Sequence, residues 1–419
     1  MRSWSRPAVP DLPGTGPLPT LFDTASGRPR VTIPVDGRAG LYVCGITPYD
    51  ATHLGHASTY LAFDTLVRLW LDAGLDVSYA QNTTDVDDPL LERATATGVD
   101  WRELAASQTD LFRSDMQHLA VIPPTDYVAV TDVVTDVADA VARLVESGFA
   151  YPVDTPNSAA GDDLYFDVTA AASSTTWHLG STSRYDAPTM RRFFAERGGD
   201  PDRPGKRAPL DPLLWRSARA GEPSWPTTLG PGRPGWHIEC TVIAHQHLAT
   251  PITVNGGGSD LIFPHHEMSA GHGTALTGQP YAEQYAHTGM VAYQGEKMSK
   301  SLGNLVKVSE LVAEGRDPRA IRLAIAAHHY RSDWEWFDDD LRGAEGRLAT
   351  WSTWASSVSA ATAGADAGFV AELRLALSDD LDTPAAIGLV DALVEGGRPA
   401  GPLAVDAVQA LLGIELIAR

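Results

Sequence analysis

Apolar positions follow two rhythms in the first third of the chain. Gly40-Leu-Tyr-Val-Cys44 is a short, nearly unbroken apolar run, which predicts a buried strand. A glycine-containing turn follows. From about His56, the residues Tyr60, Phe63, Leu66, Val67 and Trp70 fall at helical spacing, and Gly74 stands where a glycine would end the helix. Val77 to Gln81 reads as the next strand. Strand, loop, helix, strand is a βαβ unit, which implies a parallel sheet with its ligand crevice at the carboxyl ends of the strands. Helical periodicity covers 99–147, with Val133, Val137, Val141, Leu144 and Val145 as one apolar face. The stretch 151–234 is irregular, hairpin-like and rich in Pro and Gly, as an insertion would be. Strand signals return at Ile252-Thr-Val-Asn255, and alanine-rich helical segments after about residue 345 predict a small bundle. The first thirty-odd residues should be extended or wrapped over the surface. No internal repeat is visible.

Composition narrows the classes. A chain of 419 residues, 43% hydrophobic and 20% charged, can bury a sizeable core and predicts two or three structural units. There is no apolar run of about 18 residues and no signal-type apolar segment at the start, so a cytoplasmic protein without a membrane span is expected. The formal charge of −21, from 53 acidic and 32 basic residues, argues against a polyanion partner such as nucleic acid. Only four lysines occur: Lys206, Lys297, Lys300 and Lys307. The two cysteines, Cys44 and Cys240, are far apart in sequence. In a cytosolic protein such a pair reads as metal-binding or catalytic more readily than as a disulfide.

His53-Leu-Gly-His56 falls between strand and helix, at a helix N-terminus where backbone N–H groups and the dipole favour an anion. Two histidines beside a glycine suit an α-phosphate under attack; capping and packing histidines are the rival reading. Lys297-Met-Ser-Lys-Ser301 holds half of the lysines in five residues, and two ammonium groups there suit the charge of departing pyrophosphate. The two motifs in this order resemble the class I aminoacyl-tRNA synthetase family. That resemblance implies an α/β fold: a Rossmann-like nucleotide-binding domain with an inserted connective domain and a C-terminal α-helical region. It also implies attack of an amino acid carboxylate on the α-phosphate of Mg-ATP.

Cys44, Cys240 in Gly235-Trp-His-Ile-Glu-Cys240, and His265 in Gly256-Gly-Gly-Ser-Asp260-Leu-Ile-Phe-Pro-His265-His-Glu267 make a plausible zinc trio with one open position. Their blocks are similar to those of cysteinyl-tRNA synthetases, in which zinc binds the substrate thiol. A soft metal–thiolate bond rejects serine far more strongly than an apolar pocket, which separates near-isosteres by only about 1–3 kcal/mol. The chain departs from the synthetase pattern in two places. Ser269 stands where a further glutamate ligand is typical, and Cys44-Gly-Ile-Thr-Pro-Tyr-Asp50 is followed by Ala-Thr-His-Leu-Gly-His56. Those departures, with Arg2-Ser-Trp-Ser and Glu196-Arg-Gly-Gly-Asp-Pro201, resemble the mycothiol-pathway cysteine ligases, which join cysteine to the amine of glucosaminyl-inositol. The 88 residues that follow His328-His-Tyr-Arg331, the last synthetase-like segment, carry no basic cluster, which suits a small acceptor better than tRNA.

The resemblance implies one Zn2+ on Cys44, Cys240 and His265, Mg2+ with ATP, and L-cysteine, ATP and glucosaminyl-inositol as substrates. His53, His56, Lys297 and Lys300 would serve catalysis. Gly45, Ile46, Thr47, Thr59, Asn82, Thr83, Thr84, Trp236, Gly258, Ser259, Asp260 and Val291 would join Cys44 in holding the substrates and adenylate. Among these, Thr47 and Trp236 would face the amino acid, Asp260 the ribose and Val291 the adenine. His53, His56 and Asp260 are open candidates for a base. His266 and Glu267 either orient His265 or are surface residues, and His328 and His329 read as structural. The implied organisation is an N-terminal extension (1–35), catalytic halves at 36–130 and 235–305, an insertion at 131–234, a helical linker at 306–345 and a helical bundle at 346–419. A monomer is expected.

Overall fold

The computed structural model describes every residue except 36, 50–51, 159, 299–302, 359–362 and 418–419, and every side chain except theirs and those of 297 and 363–365. The chain opens with a hairpin, β1 (Thr20–Asp23) and β2 (Arg28–Val31), where sequence predicts only an extended wrap. Leu21 is buried there; before it, Trp4 is buried against Phe112 and Tyr127, and its indole donates to the Val121 carbonyl at 2.8 Å. The first βαβ unit follows as β3 (Arg38–Val43), α1 (Leu54–Asp72) and β4 (Asp76–Thr83). Gly74 takes φ +78°, the left-handed conformation that its place after the helix requires.

The helical period expected over 99–147 is interrupted. After α2 (Asp88–Thr97) and α3 (Trp101–His118) the chain forms a strand, β5 (Asp126–Ala129), before α4 (Val134–Glu146). Pro123 and Pro124 cannot continue a helix, and four residues are too few to show a period of two. On α4, Val137, Val141 and Leu144 are buried, but Val145 is exposed.

The next segment builds its own antiparallel sheet. Its elements are β6 (Ala150–Val153), β7 (Asp163–Phe166), α5 (Val168–Ser174), α6 (Ala187–Glu196), β8 (Leu213–Ser217) and β9 (Gly232–Pro234), with the strands paired in that order. The chain then returns through α7 (Trp236–His247), β10 (Ile252–Gly258), α8 (Glu267–Thr277) and β11 (Ala282–Thr288). Together these strands make one parallel sheet in the order β11-β10-β3-β4-β5. Two short strands, β12 (Val291–Tyr293) and β13 (Glu296–Lys297), precede α9 (Val308–Ala313) and α10 (Pro318–Ala326); β14 (Trp334–Trp336) then pairs with β12. The remainder is helical: α11 (Asp338–Ala355), α12 (Ala363–Ser378), α13 (Thr383–Glu395) and α14 (Pro402–Ala407).

Both faces of the parallel sheet are covered, so β3 has no polar face and its side chains alternate between two cores. Leu41 and Val43 join the core of α1, α10 and the C-terminal helices. Tyr42 and Cys44 point the other way, into the core of α4, α7 and α8. The C-terminal helices are fastened by a buried ion cluster. Asp64 accepts from Arg68 Nε at 2.7 Å and from Arg322, and its other oxygen accepts the Ile122 N–H at 2.7 Å. Arg68 reaches the Gln409 and Ala410 carbonyls at 3.1 Å, and Arg322 the Leu412 carbonyl at 2.7 Å. No helix among the described residues is long and apolar enough to cross a membrane.

Candidate active site

The crevice lies where the topology puts it. β3 pairs with β4 on one side and β10 on the other, so chain order reverses between β3 and β10 and their carboxyl ends part. A cavity of about 550 Å³ opens there, lined by Cys44, Gly45, Ile46 and Thr47 after β3, by His53, His56 and Thr59 around the start of α1, by Trp236 and Val291, and by Gly258 and Asp260 at the end of β10. His53 is both cap and lining. Its Nδ1 accepts the Gly55 N–H at 3.1 Å, and its ring stacks on His56 with centroids 3.9 Å apart.

Asn82, Thr83 and Thr84 sit one layer behind this wall and not on it. Asn82 Oδ1 accepts from Gly45 N at 2.8 Å and from the Tyr42 hydroxyl at 3.1 Å, Asn82 Nδ2 donates to Thr84 Oγ1 at 3.0 Å, and Thr84 N donates to the Ile46 carbonyl at 3.0 Å. All three are buried, because the loop after β3 folds over the end of β4 and takes up their polar groups. Gly45 is required by that closeness: a Cβ would lie 1.6 Å from the Asn82 carbonyl oxygen. The other glycines differ in purpose. A Cβ on Gly256 would meet the Phe63 ring at 2.3 Å, and one on Gly257 would meet Leu261 at 2.9 Å, so both serve packing, and of the run Gly256–Gly258 it is Gly258 that lines the cavity. Ser259 follows it but is not part of the lining.

Beside the crevice is a buried cluster. The sulfurs of Cys44 and Cys240 and a ring nitrogen of His265 all lie within 4.8 Å of one another. Alternation along β3 sends Cys44 to the α7 side, α7 presents Cys240, and the turn before α8 presents His265. His265 Nδ1 contacts His237 Nδ1 at 3.0 Å, whereas His265 Nε2 is buried with no partner among the described residues. A buried ring nitrogen without a partner is costly unless something binds it. Two soft sulfurs and an available imidazole nitrogen at this spacing fit a tetrahedral Zn2+ with its fourth position open, and Cys44 lines the cavity into which that position would face. Burial opposes ionisation of Cys240, but the Cys44 hydrogen bond and the charge of His265 outweigh it and hold its thiol well below the usual value. Burial and Cys240 push the Cys44 thiol up.

A polar file that sequence alone did not disclose backs the cluster. Cys44 Sγ lies 3.2 Å from His266 Nε2, His266 Nδ1 lies 2.7 Å from His287 Nε2, and His287 Nδ1 lies 2.7 Å from Thr24 Oγ1. Burial pulls His266 well below its usual pKa and His287 down to about 3, so both rings are neutral. Two proton arrangements satisfy the neutral file: Thr24 to His287 to His266 to the Cys44 sulfur, or the reverse with the Cys44 thiol as first donor. A Cys44 thiolate, as a metal would require, accepts only, and so selects the first. Glu267 acts elsewhere: its carboxylate accepts backbone N–H groups of Gly180, Thr182 and Ser183, tying the inserted segment to α8. Ser269 Oγ donates to the His237 carbonyl at 3.2 Å. His328 stacks on Trp334 at 4.0 Å, and His329 lies 3.9 Å from Asp380.

The family model of class I (C) tRNA synthetase catalytic domains matches residues 31–346. The L-cysteine:1D-myo-inositol 2-amino-2-deoxy-alpha-D-glucopyranoside ligase of Clavibacter michiganensis subsp. michiganensis is 64% identical over 99% of this chain and 99% of its own. The chain belongs to this ligase family. The ligase of the same name from Thermobispora bispora is 58% identical over 99% of this chain and 100% of its own. Among solved structures, Mycobacterium tuberculosis methionyl-tRNA synthetase bound by methionyl-adenylate superimposes with a TM-score of 0.59 at 16% identity, covering 90% of this chain and 88% of that one. Agrobacterium radiobacter K84 LeuRS, in its ternary complex with tRNA and LeuAMS, gives 0.63 at 13% identity, covering 92% and 84%. These two likenesses support the class I synthetase fold, a parallel α/β sheet followed by helices.

For this member of the ligase family, one motif is only partly described. Lys300 and Ser301 lie outside the described residues, and so does the Lys297 side chain. Their neighbours Met298 and Leu305 line the crevice opposite His53 and His56, and Asn304 Nδ2 donates to the Tyr293 carbonyl at 3.1 Å.

Proposed function

We propose that this protein is an ATP-dependent, AMP-forming ligase that activates L-cysteine as its adenylate and transfers the cysteinyl group to the amine of glucosaminyl-inositol. The observation that carries the proposal is the Cys44, Cys240, His265 trio opening onto the crevice that holds the stacked pair His53 and His56. A bound Zn2+ would supply selectivity for the substrate thiol, taken as thiolate. Thr47 and Trp236, at the mouth of the trio, would orient the amino acid so that its carboxylate faces the α-phosphate of Mg-ATP.

His53 and His56 would stabilise charge on that phosphate at the N-terminus of α1, the positive end of its helix dipole. Lys297 and Lys300 would guide pyrophosphate. Gly258 lets the ligand approach the backbone, Asp260 accepts from ribose hydroxyls, and Val291 packs against adenine. Thr59, whose hydroxyl lies 2.8 Å from Thr288 Oγ1, closes the inner wall. In the second half-reaction the neutral amine attacks the adenylate carbonyl carbon, the bond from that carbon to the phosphate oxygen breaks, and AMP leaves with the electron pair as the amine gives up a proton. We take the enzyme to be a cytoplasmic monomer.

The rival is transfer of cysteine to tRNA. The formal charge of −21 and the helices after residue 338, which carry no basic cluster, stand against it. The test is acceptor-dependent AMP release with zinc, Mg-ATP and L-cysteine. Release with glucosaminyl-inositol and not with cysteine-accepting tRNA is expected. Release with tRNA alone overturns the proposal.

A further inference from the structure

A second cavity, of about 720 Å³, shares the wall formed by Thr47, Trp236 and Asp260 with the first. It is enclosed by the start of α2, the loop after α6 and the junction of β9 with α7. Its size is that of a site for a compact small molecule, typically about 300–1,000 Å³. Anything bound in it meets the adenylate pocket across Trp236.

The lining also has a definite charge logic. Its arginines are already engaged: Arg203 with Asp163 at 2.6 Å, Arg216 with Glu222 at 2.6 Å, and Arg233 with Asp88. Arg197 donates to the Asp260 and Phe263 carbonyls at 2.5 Å, which pins the loop after α6 to the turn that carries Asp260. Positive charge is therefore consumed within the protein and is not offered to a phosphate backbone. Two carboxylates are placed differently. Asp87 accepts the Asp88 N–H at 2.8 Å as the cap of α2, and Glu92 stands exposed one turn further on; neither takes part in an ion pair among the described residues. Carboxylate oxygens accept from ammonium and from adjacent hydroxyls, and an indole face packs on the C–H face of a sugar ring.

We propose that this second cavity is the acceptor subsite, where a compact polyhydroxylated amine is held on the Asp87 and Glu92 carboxylates, with its amine directed past Trp236 toward the adenylate. The assignment rests on the ligase function above and names the part of the site that gives it acceptor specificity. The test uses full-length protein and Asp87→Asn, because asparagine caps a helix as well as aspartate does. Two rates are measured: cysteine-dependent ATP–pyrophosphate exchange, and AMP release as glucosaminyl-inositol is titrated. Asp87→Asn should raise the acceptor KM about tenfold or more, the loss expected for one charged hydrogen bond, while exchange stays within about twofold of wild type. Glu92→Gln should do the same to a smaller extent. An unchanged acceptor KM, or exchange falling in step with AMP release, overturns the subsite.

If wild-type protein exchanges pyrophosphate but releases no AMP with glucosaminyl-inositol, the ligase function fails. Calorimetric titration of the pseudodisaccharide into wild type and Asp87→Asn then decides the subsite separately. Binding weakened by the substitution upholds it, whereas equal binding or none overturns it.

Discussion

Two buried polar clusters lie on opposite faces of the same sheet, and they differ in how completely they satisfy themselves. Asp64, Arg68 and Arg322 form a closed network in which both carboxylate oxygens are bonded and the guanidinium groups reach backbone carbonyls from two distant parts of the chain, 119–120 and 409–412. Cys44, Cys240 and His265 form an open one, with a buried imidazole nitrogen that no described residue engages. Buried polar groups are costly unless paired. A closed cluster is therefore accounted for by the fold it fastens, and an open one implies a ligand from outside. The trio is set apart from scattered buried atoms without a described partner, such as those of His272 and Asp115, because its ligand atoms converge within 4.8 Å of one another.

The sharpest way to break the comparison is to remove one ligand from the open cluster. Cys240→Ser should abolish stoichiometric zinc and lower cysteine-dependent pyrophosphate exchange at least about a thousandfold, roughly 4 kcal/mol of lost stabilisation. The folded protein should persist, since hydroxyl for thiol leaves the apolar packing of α7 nearly intact. Zinc content by elemental analysis, exchange kinetics and a thermal melt check all three. Retained zinc with full exchange would place the metal, and the thiol site, elsewhere.

The closed cluster should respond in the opposite sense. Asp64→Ala leaves two buried guanidinium groups without their carboxylate, a loss on the order of 3–5 kcal/mol, read as a fall in denaturation midpoint. Exchange per folded molecule should change by less than about twofold, because a closed cluster serves folding alone. The effect depends on pH with a defined sign. Burial disfavours ionised Asp64, but Arg68 and Arg322 outweigh it and hold its pKa below the ordinary carboxylate value. The contribution is then fully present above the unfolded pKa of about 4 and is lost as pH falls through the folded value. The stability gap between wild type and Asp64→Ala should be constant near neutrality and shrink in acid.

The two clusters were not equally legible in the sequence. Cys44 and His53-Leu-Gly-His56 follow a strand signal and open a helix signal, so local pattern alone places them together. The Asp64 network joins residues more than 250 positions apart, and nothing local marks Asp64 or Arg322 as partners. The Asn82–Thr84 segment was readable as the end of a strand, but its place behind the wall depends on how the loop after β3 folds over it, a tertiary fact. Likewise β5 was hidden because a four-residue strand between helices leaves no period to read. His237, His266, His287 and Thr24 come from four separate segments. Their only sequence signal was an unusual density of histidine around the cysteine and glycine motifs.

That histidine file gives the finest test of the comparison, because it is closed at one end and open at the other. Thr24 and His287 are mutually satisfied, yet the file they begin ends on the sulfur of Cys44, which must accept from His266 once it is a thiolate. If the file only packs the core, His287→Leu should lower the melting temperature and leave metal affinity alone. If it sets the tautomer of His266 and so the charge held at Cys44, zinc affinity should fall about 10–100-fold, the usual effect of losing a partner that orients a metal site. Chelator competition measures that affinity independently of turnover. His287→Gln supplies an amide N–H that can donate to His266 and should recover part of the loss, a rescue that a packing role would not produce.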